Sequence, residues 1–150
     1  MENNRWQRTL VIVSLILSGE AIFTLPYHVT RFFRPTFLEV FDLSATELGV
    51  AQSAYGFAAM VAYFFGGPLA DRFEPRKPLA GSLCATALGG LYLATFPSVA
   101  GVTLVWGFFG LTNILFFYAA LIKATRSWGG NKQQGLAYGL LDGGRGLLAA

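Results

Sequence analysis

Charge is scarce in this sequence. Of 150 residues only 13% are Asp, Glu, Lys or Arg, while 54% are hydrophobic. Soluble domains carry roughly 25% charged residues. A deficit of that size, with a mean hydropathy of +0.51 and with 18 Gly and 14 Phe, points to a polytopic membrane protein. Cysteine is nearly absent: Cys84 stands alone, which excludes an intrachain disulfide and a cysteine-cluster metal site. Lying in an apolar run, it is expected to be a small packing residue. Histidine is equally rare, with His28 alone. One His and one Cys supply no nucleophile–base or metal constellation, and no HExxH, phosphate-cradling glycine loop or glycosylation sequon occurs. No enzymatic activity, metal or cofactor is expected. The net charge of +3 does not imply a nucleic-acid partner, because in a membrane protein the placement of positive charge matters more than its sum.

What is present is a series of long apolar runs. About 20 apolar residues span a bilayer at 1.5 Å per residue. Four full spans are expected, at 10–27, 48–70, 79–96 and 99–122, with a fifth at 135–150 cut short by the end of the sequence. The fold class is thus an all-α transmembrane helix bundle. Two arginines before the first run also suit a signal peptide, but the run is long and no small-x-small cleavage site follows. Pro26 is expected to kink or stop the first helix, leaving a mixed loop over 28–46. Ser44-Ala45-Thr46-Glu47 is a capping box that opens the second helix. Ser98 is placed to cap the fourth, and a polar loop is expected over 123–134.

Between the second and third runs lies the densest charge in the chain: Asp71, Arg72, Glu74, Arg76 and Lys77. With the N-terminus inside, Arg5, Arg8, Arg72, Arg76, Lys77, Lys123, Arg126 and Lys132 fall on the inner side, and only Arg31 and Arg34 outside. The positive-inside rule favours that orientation, and an inner (plasma) membrane location is expected.

This stretch resembles the signature of the major facilitator superfamily, approximately Gly-x-Leu-Ala-Asp-Arg-x-Gly-Arg-Lys between the second and third helices. Gly67-Pro68-Leu69-Ala70-Asp71-Arg72-Phe73 fits it. Glu74-Pro75 stand where Gly is expected, and Arg76-Lys77 fit with one residue inserted. Gln133-Gln134-Gly135 and the later Gly139, Asp142-Gly143-Gly144-Arg145-Gly146 resemble fifth helices of bacterial permeases of the organophosphate and organic-anion type. The resemblance implies that the chain is the N-terminal half, less its last part, of a twelve-helix transporter. It also implies a latch in which Gly67, Asp71, Arg72, Arg76 and Lys77 hold two halves together on the inner side. Asp71 would meet the positive end of a helix in the other half. On the plainer reading Arg72, Arg76 and Lys77 serve topology alone.

Three charges lie within apolar runs: Glu20, Asp142 and Arg145. Such residues cost roughly 2.5–3.5 kcal/mol at a helix centre for Asp, Lys or Arg, face the bundle interior and mark solute or ion paths. Glu20, Asn113 and Arg145 each lie about 15 Å from the inner end of their run, near the midplane where secondary transporters bind their solutes. Asp142 and Arg145, at i and i+3, share a face: either they pair, or Arg145 contacts an anionic solute group. Glu20 either pairs with Arg145 or stands alone, where poor solvation favours a protonated carboxyl group and suits proton or ion coupling, a role Asp142 shares. Asn113 is an interhelical tie or a solute ligand. His28 reads as an exposed or capping residue. The repeat Gly135-Gly139-Gly143 reads as a close-packing face.

The expected function is alternating-access transport of a small polar solute, anionic if Arg145 is its ligand, coupled to protons or another ion. The partners are the lipid bilayer, the solute and a C-terminal half missing from this sequence. The rival expectation is a small membrane packing or adaptor protein that carries nothing.

Overall fold

The computed structural model describes residues 2–149, the side chains of residues 2–4, 70 and 71 excepted. The described residues are helical except for short turns. Helix α1 (Glu2–Phe23) runs into a π-helical segment (Thr24–Val29) and a last turn, α2 (Thr30–Phe32). Pro26 therefore does not end the helix. A proline removes one donor from the i→i−4 ladder, and widening to i→i+5 bonding absorbs the defect. Thr30 Oγ1 donates to the carbonyls of Pro26 and Tyr27, each at 3.2 Å, which seals the far edge of the widened turn.

The expected loop over 28–46 is mostly helical, with α3 (Arg34–Val40) inside it. Pro35 sits in the first turn of α3, where its missing N–H costs nothing. Helix α4 (Ala45–Arg72) opens on the expected capping box. Glu47 N–H donates to Ser44 Oγ at 3.2 Å, and Glu47 Oε2 accepts from Ser44 N–H and Oγ–H at 2.7 Å each. Helix α5 (Arg76–Leu93) begins and ends three residues earlier than the expected 79–96. Ser98 occupies the N-cap position of α6 (Val99–Leu111) with extended backbone, but its hydroxyl makes no capping bond.

A second π-helical segment (Thr112–Tyr118) joins α6 to α7 (Ala119–Gly129), so the fourth long helix runs seven residues beyond 122. The expected loop over 123–134 shrinks to a turn at Gly130, whose φ of +56° suits glycine. Helix α8 (Gln134–Leu148) completes the order.

Among the described residues three stretches are long and apolar enough to cross a membrane: Arg5–Phe32, Ala45–Leu69 and Val99–Gly129. The expected third and fifth spans correspond to α5, of 18 residues, and α8, of 15. At 1.5 Å per residue α8 rises about 22 Å, less than the ~30 Å hydrocarbon core.

Packing centres on the fourth long helix. Helix α4 lies along α6, and a Cβ at Gly110 would run into the backbone of Tyr55. One core cluster joins them, with Tyr55, Trp106 and Phe109 buried in it. Helix α5 lies against the second π segment, and Gly89 admits the ring of Phe109. A second cluster (Leu15, Ile22, Phe117, Leu121, Leu141) joins α1, the second π segment, α7 and α8. Cys84 is exposed on α5 rather than packed. The helix face carrying Ser82 and Thr86 is the one that turns inward.

Helices α1 and α8 approach through glycines other than those expected. A Cβ at Gly135, Gly139 or Gly143 would meet nothing within 4 Å, so among the described residues that repeat packs against no other element. A Cβ at Gly144 would meet Ile16 at 2.7 Å, and one at Gly19 would meet Arg145 Cδ at 3.0 Å. Gly144 follows Gly143 by one residue, about 100° around the helix, and it is this neighbouring face that α1 covers.

Candidate functional site

Glu20, the lone carboxylate of the first apolar run, sits between two basic side chains. Its Oε2 lies 3.6 Å from Arg145 Nε, and its Oε1 lies 3.0 Å from His28 Nε2. Glu20 is thus not unpaired, and His28 is neither a cap nor free in solvent. All three side chains are largely enclosed, with relative exposures of 13% for Glu20, 22% for Arg145 and 24% for His28.

The contact with His28 depends on the first π segment. In a regular α-helix, residues seven apart nearly share a face, and the eighth lies about 80° away. One residue inserted by the widened turn returns i+8 to the face of i. The His side chain, tilted toward the helix N-terminus, then reaches back to Glu20. Composition and apolar periodicity give no sign of this shift; the only signal in the sequence is Pro26 lying between Glu20 and His28.

Arg145 crosses from α8 to α1 over Gly19, the position at which a side chain would obstruct it. Its guanidinium stands 5.4 Å from the centre of the Phe23 ring, within cation–π range, and its Nη1 lies 3.9 Å from Asp142 Oδ1. Both pairings weighed from the sequence are therefore present. They differ in kind, because Asp142 is 74% exposed, and water screens an exposed pair. At 3.6 Å the contact with Glu20 is an ion pair too long to be a hydrogen bond. Arg145 Nε is buried and makes no hydrogen bond, so the group is charged, enclosed and incompletely satisfied.

These residues line a cavity of about 550 Å³. Its wall also includes Phe23, Tyr27 and Thr30 from the first long helix, Gln52 from α4, and Arg31 and Arg34 at the end of α2 and the start of α3. Tyr27 stands edge-on to Tyr55 with ring centres 5.0 Å apart, closing the side toward α4. The lining is thus three arginines and a histidine against a single carboxylate. Such a surface attracts an oxyanion, since arginine presents paired donors that fit carboxylate and phosphate. Arg31 and Arg34, whose place in the sequence bears only on topology, share this wall with Arg145.

Asn113 does not line this cavity. It is fully buried in the second π segment, where its Oδ1 accepts from Thr86 Oγ1 of α5 at 3.1 Å and from Thr112 Oγ1 at 3.3 Å. Its Nδ2 donates to the carbonyl of Ile22 at 3.3 Å. It meets the first long helix at Ile22, two residues beyond Glu20.

On the opposite end, Arg72, Arg76 and Lys77 are exposed. Arg76 Nε stands 4.0 Å from Glu74 Oε1 in an open pair. The side chain of Asp71 lies outside the described residues. Gly67 borders a second cavity of about 360 Å³, between α4 and α7, with Lys123 and Arg126 on its wall. A Cβ at Gly67 would meet nothing within 4 Å. Among the described residues no group of three or more His, Cys, Asp or Glu is placed to hold a metal ion.

The family model described as Major Facilitator Superfamily matches residues 6–150. The inner membrane protein YihN of Escherichia coli (strain K12) is 34% identical over 134 residues, which cover 89% of this chain and 32% of that protein. The inner membrane protein YqcE of the same strain is 30% identical over 147 residues, 98% of this chain and 34% of that protein. An uncharacterized MG294 homolog of Mycoplasma pneumoniae is 24% identical over 149 residues. The chain spans about a third of the length of the curated relatives it matches. No solved structure matches.

Proposed function

The chain belongs to the Major Facilitator Superfamily, and from that membership we propose that it is part of a secondary transporter for a small anionic solute, driven by protons or another ion. The observation that supports the solute class is the enclosed cluster of Arg145, Glu20 and His28 in a cavity whose wall also carries Arg31 and Arg34. Arg145 contacts the solute's anionic group. Glu20, paired with it, couples transport to the ion, and Asp142 balances the outer edge of the guanidinium. Asn113 contributes from beneath by fixing the first long helix at the level of the cavity.

In this proposal α5 and α8 complete four spans and part of a fifth, and the N-terminus is cytoplasmic in an inner membrane. The cavity then opens toward the outer side, where Arg31 and Arg34 draw anions in. The segment Gly67–Lys77 forms the inner latch, with Asp71 facing a helix start in the other half and Arg72, Arg76 and Lys77 supporting it. Transport proceeds by one helical bundle rocking against another around the midplane site.

Uptake by the full-length protein in membrane vesicles, against a panel of sugar acids, organic acids and sugar phosphates, tests the reading. Uptake of at least one anion is expected, falling more than tenfold with Arg145→Gln. Uptake confined to neutral solutes, or indifferent to Arg145→Gln, overturns it.

A further inference from the structure

The cluster contains one carboxylate for two basic groups, and its geometry is unequal. Glu20 lies within hydrogen-bond distance of His28, at 3.0 Å, but only within ion-pair distance of Arg145, at 3.6 Å. Arg145 Nε, buried, has no hydrogen-bond partner. A donor that is enclosed and unfulfilled gains from an acceptor that comes closer than Glu20 does.

An anion arriving at Arg145 creates a problem of charge. With a neutral imidazole, Glu20 and Arg145 sum to zero. Arg31 and Arg34 share the cavity but are exposed, where water screens them; an added monoanion at Arg145 therefore leaves the enclosed cluster with one negative charge too many, and in a poorly solvated site an uncompensated charge is costly. One added proton restores neutrality. The nearby groups able to supply or hold it can be enumerated. On the first long helix they are Glu20, Tyr27 and His28, with Arg31 beyond and Arg34 on α3. Helix α4 presents Tyr55, with Gln52 neutral, and α8 presents Asp142 and Arg145. Arginines do not titrate, and free tyrosines lose their proton near pH 10. Asp142 is mostly exposed and solvated. Histidine is the side chain whose ordinary titration, near pH 6.5, falls in the working range, and His28 already contacts the carboxylate that an anion would displace.

Resting on the anion reading of Arg145, we infer that Glu20 is a carboxylate shared between Arg145 and His28, and that His28 takes up one proton when an oxyanion replaces Glu20 on Arg145. Before binding the cluster holds Arg⁺ and Glu⁻ beside neutral His. After binding it holds Arg⁺ with the oxyanion and His⁺ with Glu⁻. The solute class that follows is a monoanion, or a dianion whose second charge reaches Arg31 and Arg34, entering together with a proton. His28 acts through Glu20 and is a positioning residue.

Calorimetry on the purified full-length protein decides the matter, with lactate and sulfate as probes because both keep a fixed charge between pH 6 and 8. Repeating the titration in two buffers of different ionisation heat counts the protons taken up. Lactate is expected to bind with close to one proton gained at pH 7.5 and roughly tenfold tighter at pH 6 than at pH 8. His28→Gln is expected to bind with no proton gained and with less than twofold change between those pH values. Glu20→Gln is expected to bind without the pH dependence, while retaining the Arg145 contact. Should either variant fail to fold, proton counting on the native protein and nuclear magnetic resonance of labelled His28 with and without lactate supply the same answer. Binding without proton uptake, or with uptake that persists in His28→Gln, overturns the inference and leaves the anion site standing. Binding of neither probe at 10 mM overturns both.

Discussion

The side-chain amide of Asn113 donates to the main-chain carbonyl of Ile22 across 3.3 Å. Ile22 is the residue that a regular helix would bond to the N–H of residue 26, and residue 26 is proline. Asn113 thus supplies from the fourth long helix the hydrogen bond that the first cannot make for itself. Its carbonyl oxygen, accepting from Thr86 and Thr112, draws the third long helix into the same junction. The second π segment thus meets the first long helix at Ile22, two residues before the first π segment opens at Thr24.

Asn113→Leu should therefore destabilise more than its small change in volume suggests. It leaves the Ile22 carbonyl and the Thr86 hydroxyl buried without partners, at about 1–3 kcal/mol for each orphaned group. Thermal unfolding in detergent, followed by circular dichroism, should show a clear fall in melting temperature. The loss should be smaller in a Pro26→Ala background, where residue 26 regains a donor for Ile22. An equal loss in both backgrounds would separate Asn113 from the proline defect.

The α1–α8 contact offers a paired test. Gly144→Ala drives a Cβ to 2.7 Å from Ile16 Cδ1 and 2.9 Å from its Cγ2. Overpacking of this kind costs about 1–3 kcal/mol, and Ile16→Ala should recover part of it. Gly19→Ala meets the Cδ of Arg145 at 3.0 Å, a flexible side chain that can give way. The fold should tolerate that change, helped by the better helix propensity of alanine, while anion binding through Arg145 weakens severalfold. A binding assay beside the melting curve separates the two outcomes.

Much of this arrangement was legible in the residues. The apolar runs, the capping box at Ser44 and Glu47, and the placement of Glu20 and Arg145 at one depth follow from local pattern and helical rise. The family signature around Gly67–Arg72 gave the superfamily. What local pattern misses is phase. Pro26 suggests a stop, because the sequence does not show that Asn113 lies across from Ile22 to satisfy the freed carbonyl. With the widened turn unseen, His28 falls on the wrong face and Glu20 is left without its second partner. The glycine repeat misleads for a related reason. Gly135, Gly139 and Gly143 form the regular stripe, yet Gly144, outside it, makes the contact with Ile16.

At the other end of the bundle, Asp71→Asn removes the charge expected to hold the inner latch but keeps the size of the side chain. Under the proposed mechanism the full-length protein should still bind its solute, because the cavity containing Arg145 lies elsewhere. Its rate of transport should fall, by about tenfold or more if the bond to a helix start is charge-assisted. Uptake rate and binding affinity measured on the same preparation check this. Equal loss of both would indicate a folding defect, and loss of neither would dismiss the latch.

Pro26→Ala tests whether the widened turn is itself functional. An alanine at 26 restores the donor to Ile22 and removes the steric reason for i→i+5 bonding. The first helix should then close to a regular α-helix. Loss of the inserted residue turns everything beyond it by about 100° relative to Glu20. His28 leaves the cavity face, and Arg31 and Arg34 move with it, while Glu20 and Arg145, which lie before the turn and on another helix, stay together. The variant should be at least as stable as the native protein by thermal unfolding, since it gains a helical hydrogen bond and loses a proline from a helix interior. Yet it should lose proton uptake on lactate binding as completely as His28→Gln does. A variant that is stabilised but uncoupled would show that the proline is kept for the position of His28; one that is stabilised and still coupled would show that the turn is only a tolerated defect.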